Sequence, residues 1–118
     1  MTMAVLSINF EKGERPVKLA CLYTRSDYTM IFLLVTTSTG ARIEAVSKRK
    51  DGSHRLSSTG TFESREEGER ELNLIIDQGK QVPELEIVNI QEVLFPADCN
   101  DKLFLDIMKA SPDLSNVL

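Results

Sequence analysis

His54 is the only histidine in the 118-residue chain. An imidazole acts as a general base only when a partner orients it beside a pocket. His54 follows Asp51-Gly52, a turn signal, and has Arg49, Lys50 and Arg55 for neighbours, so it reads as a solvated side chain. No Gly-x-Ser-x-Gly elbow, His-Glu-x-x-His pair or glycine-rich phosphate loop occurs. Cys21 and Cys99 stand far apart without Cys-x-x-Cys or Cys/His spacing. They predict neither a zinc site nor a disulfide framework, but two reduced, apolar thiols. Glutamates 63, 66, 67, 69 and 71 crowd the start of a helix, where the dipole favours carboxylates. A metal there would need ligands from other segments. The expectation is a chain with no catalytic residue, no cofactor and no metal: a non-enzyme.

Binding chemistry is easier to find. Arg42, Lys48, Arg49, Lys50, His54 and Arg55 fall within fourteen residues, diluted only by Glu44 and Asp51. Clustered cations neutralise phosphates, and a two-stranded ribbon fits the major groove. Downstream come Gly60, Thr61 and Phe62, then Ser64, Glu66 and Glu67. This run resembles the sheet-plus-helix module of integrase arm-type DNA-binding domains, where a basic hairpin ends in Gly-Thr-Phe before a capped acidic helix. The resemblance spans about a third of the chain and implies nucleic-acid contact by the hairpin 42–55. It departs at Gly68, where those modules usually carry alanine, and in the absence of tryptophan.

The whole-chain charge points elsewhere. The net charge is −4 and the pI about 5.0. Residues 1–62 hold nine Lys/Arg against five Asp/Glu, whereas 63–118 hold five against thirteen. Bases stack on aromatic rings set beside cations, yet the nearest rings, Tyr23, Tyr28 and Phe32, are assigned to the core. A small acidic domain without catalytic groups is expected to be a protein-interaction module: an adaptor, inhibitor or immunity-type regulator. Electrostatic steering of a basic partner then falls to Glu66, Glu69 and Asp77 on the outside of a helix. Nucleic acid is the alternative partner, and self-association is compatible with either.

These residues need elements to hold them. Met3–Phe10 and Val17–Tyr23 alternate as strands. Tyr28–Thr37, apolar on both faces, reads as the central strand. Ala41–Val46 and Arg55–Phe62 alternate on either side of Lys50-Asp51-Gly52-Ser53, where Asp-Gly predicts a tight hairpin. Ser64 and Glu67 form a capping box, opening a helix over 64–78 with Leu72, Ile75 and Ile76 inward and Gly79 at its end. Leu85–Phe95 is a strand candidate with broken alternation, which predicts a bulge near Asn89 or a break into two pieces. Asp98 and Asp101 are placed to cap a last helix, with Leu103, Phe104, Ile107 and Met108 as its apolar stripe. Pro112 ends that helix, and the tail 113–118 carries apolar residues able to dock.

The result is one domain, residues 1–118, of the α+β class. Its core is an antiparallel, meander-like sheet of four or five strands packed against two helices. If the second helix shares a face with the first, the other face is left partly exposed. The segment Met1–Phe10 lacks the basic start of a signal peptide. The longest apolar run, Met30–Val35, is far shorter than the ~20 residues of a membrane-spanning helix. A cytoplasmic protein is expected.

Overall fold

The computed structural model describes residues 10–25, 28–49, 51 and 53–110, with His54, Leu56, Ser58 and Thr59 through their backbone alone. Five strands form one antiparallel sheet: β1 (Arg15–Thr24), β2 (Tyr28–Thr37), β3 (Gly40–Arg49), β4 (His54–Phe62) and β5 (Ile87–Leu94). Their order is β4-β3-β2-β1-β5. The first four make a meander, and β5 returns to pair with β1. The doubly apolar β2 is the middle strand, as its composition requires, and Leu33, Leu34 and Val35 are buried on both of its faces. The expected strand Met3–Phe10 lies outside the described residues except for Phe10, which is not in a strand. Ser26-Asp27, Lys50, Gly52 and the segment 111–118 likewise lie outside them.

Helix α1 (Arg65–Lys80) begins as its capping box demands. Ser64 Oγ accepts from the Glu67 N–H at 3.2 Å, and Glu67 Oε2 accepts from the Glu63 N–H at 3.2 Å. Gly79 does not end it. The helix continues to Lys80, and Gln81 closes it in a right-handed conformation. A Cβ on Gly79 would stand 3.1 Å from Leu22 and 3.4 Å from Ile87, so this glycine is spent on close approach to the sheet. After a turn of 3-10 helix (Pro83–Leu85) comes β5, with the register slip placed at Val88. Helix α2 (Asp101–Ala110) is capped by Asn100 and not by Asp98: Asn100 Oδ1 accepts from the Leu103 N–H at 2.8 Å.

The two helices do not share a face. Alternate residues of one strand enter different cores. On the α2 face, Leu19, Cys21, Ile31, Leu33, Val35 and Val46 meet Phe95, Phe104 and Met108. The rings of Phe10 and Phe95 lie 5.3 and 5.1 Å from that of Phe104. On the α1 face, Ala20, Leu22, Leu34, Ala41 and Ile43 meet Leu72 and Ile76. The strong apolar stripe of α2 requires this arrangement, since a single face of β1–β2 would leave the odd-numbered apolar row uncovered.

Candidate binding surface

The path of α1 across the sheet creates an opening. Gly68, near its start, sits where a Cβ would meet Leu34 Cδ1 at 2.6 Å and Ala41 Cβ at 3.2 Å. Gly79, near its end, lies on Leu22 and Ile87. The helix therefore crosses from β2 and β3 to β1 and β5, and no described element covers the corner where β2, β3 and β4 approach Arg49 and Ser53.

The register sets out that corner row by row. Tyr28 pairs with Arg49, Met30 with Ser47 and Phe32 with Ala45. Arg55 pairs with Ser47 and Ser57 with Ala45. Tyr28, Met30 and Phe32 are half-buried, while Arg55 and Ser57 are exposed on the edge strand. Together they line a groove of about 230 Å³, below the roughly 300–1,000 Å³ of small-molecule pockets. Its floor is thioether, aromatic ring and alanine methyl; its rim is hydroxyl and guanidinium. Thr24 anchors the open end, because its Oγ1 accepts from the Tyr28 N–H at 3.2 Å and also donates to the Tyr28 carbonyl.

The structure divides the basic cluster. Arg49 and Arg55 have register positions on the groove face. Arg42 lies on the opposite face with only 16% of its side chain exposed, paired to Glu14 and, at 2.9 Å, to Glu44. Lys48 shares the face of Arg42, and His54 is its backbone partner across the ladder. Lys50 is outside the described residues. The hairpin is closed by the Arg49 N–H on the Ser53 carbonyl at 2.9 Å, which leaves three residues in the loop and not the two of an Asp-Gly turn. Asp51, exposed at the tip, accepts from the Ser53 N–H at 2.8 Å and hydroxyl at 2.6 Å. Those bonds, hydroxyl first, hold its carboxyl below the usual range, with a further contribution from Arg49.

The acidic candidates are spread along α1. Glu66 and Asp77 are exposed, and Glu69 is bound to Arg65 at 2.8 Å. Arg70 and Lys80 interrupt the acidic row, so the outer face of α1 is of mixed charge. Among the described residues no three His, Cys, Asp or Glu side chains are grouped to hold a metal. No described helix is long and apolar enough to cross a membrane. The groove itself was not legible in sequence, because Tyr28 and Phe32 alternate with core residues in one apolar run. What exposes them is the diagonal of α1, which depends on Gly68 and Gly79 together. No protein-family model, curated protein or solved structure matches the chain.

Proposed function

We propose that this chain is a non-enzymatic protein-interaction module that takes a short apolar segment of a partner into the groove between Tyr28, Met30 and Phe32. One observation carries the reading: a half-open apolar corner of the sheet bordered by Arg55, with Arg49 on the same face. Apolar surface beside a guanidinium fits a partner segment with a large apolar side chain next to a carboxylate, through burial and charge-assisted hydrogen bonding. Glu66 and Asp77, exposed on α1, tune encounter through long-range charge. Such a site supports a role as adaptor, inhibitor or immunity-type regulator.

Nucleic acid is the second reading, favoured by one observation. Tyr28 stands opposite Arg49 in the ladder, which sets a ring beside a cation as stacking on single strands demands. One experiment separates the two. The protein is screened against a displayed library of random short peptides and titrated with mixed-sequence oligonucleotides over a range of salt. Enrichment of peptides with an apolar residue beside Asp or Glu, lost in Met30→Asp and altered in charge preference by Arg55→Glu, supports the module. Tight oligonucleotide binding that weakens steeply with salt, with a slope flattened by Arg49→Ser and Arg55→Ser, would replace it with the second reading.

A further inference from the structure

The β5 edge of the sheet carries the two most exposed large apolar side chains among the described residues, Leu94 at 72% and Val88 at 56%. Ordinary defences of an edge strand are charge, proline and bulges. β5 has a bulge at Val88 and one charge, Glu92, which is tied to Lys18 at 2.6 Å. The opposite edge, β4, is irregular in mid-strand and presents Arg55, Ser57 and Thr61.

The hydrogen bonding of β5 can be followed residue by residue. The Phe95 N–H donates to the Val17 carbonyl at 2.9 Å, in line with the register that pairs Val93 with Leu19 and Gln91 with Cys21. In an antiparallel ladder the bonded pairs alternate. Val93, Gln91 and Asn89 therefore turn their backbone groups to β1, and Leu94, Glu92 and Ile90 turn theirs outward, to an edge with which no described strand pairs.

We propose that two copies of this chain associate through β5, antiparallel about a two-fold axis at Gln91 and perpendicular to the sheet. This register sets Ile90 opposite Glu92 of the second copy, and Glu92 opposite its Ile90, as two hydrogen-bonded pairs. It also sets Val88 opposite the second copy's Leu94. A perpendicular axis keeps like faces together, so each Leu94 reaches the side of the sheet that carries α1. There the other copy presents a recess of about 470 Å³ whose apolar wall is Val82, Pro83, Ile87, Val88 and Ile90. The most exposed large apolar side chain among the described residues thus meets the apolar wall of a recess that Lys80, Glu86 and Asn89 complete, near the other end of the same strand. Neighbouring registers are worse: an axis at Glu92 opposes two carboxylates, and an axis at Ile90 places Leu94 against Glu86 and Val88 against Glu92. The dimer is one continuous sheet of ten strands, five from each copy, and its occupied edge leaves the groove beside β4 free.

Sedimentation equilibrium tests it directly. The expected result is a concentration-dependent dimer of the 13.2 kDa chain. Leu94→Asp and Glu92→Pro should each weaken association by about tenfold or more, without changing the circular dichroism spectrum. Glu92 turns its N–H outward, so proline there removes no bond within the sheet. Gln91 meets itself across the axis in a non-bonded pair, whose Cα spacing of about 4.5 Å suits a disulfide. Gln91→Cys should therefore link copies under oxidation, a readout that stands even where Glu92→Pro fails to fold. A monomer at every concentration overturns the proposal. So does a dimer indifferent to Leu94→Asp, or one that Gln91→Cys does not link.

Discussion

Gly40 shows how closely single residues constrain this fold. A Cβ there would lie 2.0 Å from the Phe62 carbonyl oxygen and 2.8 Å from the Glu63 carbonyl carbon. Both are backbone atoms that cannot turn aside. Gly40→Ala should cost about 1–3 kcal/mol or more, read from urea denaturation. Arg42 holds two half-buried carboxylates, so Arg42→Met leaves Glu14 and Glu44 without their guanidinium. A loss of about 1.5–3 kcal/mol is expected, the range for hydrogen bonds to charged groups. Cys99 is buried, and burial pushes its thiol up, with Asp98 and Asp101 adding to the effect. A raised pKa in the folded state means that the unfolded thiol ionises first as pH rises. The stability it contributes is present below about pH 8.5 and is lost above it. Denaturation midpoints should fall on going to alkaline pH, and Cys99→Ala should make that fall shallower.

Elements were legible wherever one local rule decided them. The Ser64–Glu67 box marks the start of α1 because it is built from the side chains that satisfy the first amides. Ser64→Ala should cost about 0.5–2 kcal/mol, and Leu72→Ala, at the centre of the α1 core, about 2–5 kcal/mol. Thermal and chemical unfolding of the two variants should rank them in that order. Where two rules compete, sequence alone misleads. Gly79 has the composition of a helix end but the duty of a packing contact, and only the nearness of Leu22 and Ile87 reveals it. Asp98 and Asn100 are both good caps, and the turn that seats the Cys99 N–H on the Pro96 carbonyl at 3.0 Å leaves Asn100 at the first amides. The irregular alternation of Leu85–Phe95 did announce its bulge, because an inserted residue shifts every later side chain to the other face.

At the scale of the molecule, the α+β class and the antiparallel meander could be read from alternation, turns and caps. The assignment of helices to faces could not. Both apolar stripes fit either face, and the choice depends on the count of apolar rows along β1 and β2. The candidate site was legible in part: the basic hairpin was visible as charge, but its division between two faces follows from register. Arg42 and Arg49 are an odd number of residues apart, so a regular strand sends them to opposite sides. The sheet also has an order of assembly built into it. The meander joins neighbours in sequence, whereas β1 waits for β5, which lies more than sixty residues downstream of it. Contacts of such separation form late, after the local ones have lowered their entropic cost. A truncation of Val93 should therefore speed unfolding and leave the refolding rate nearly unchanged. During synthesis, β1–β4 can pair while β5 is still unmade. The most deeply buried of the described strands, with Leu19 to Leu22 at its centre, then spends that interval without its β5 neighbour. A newly made chain is most prone to aggregate in this window, and it closes only when residues 87–94 arrive.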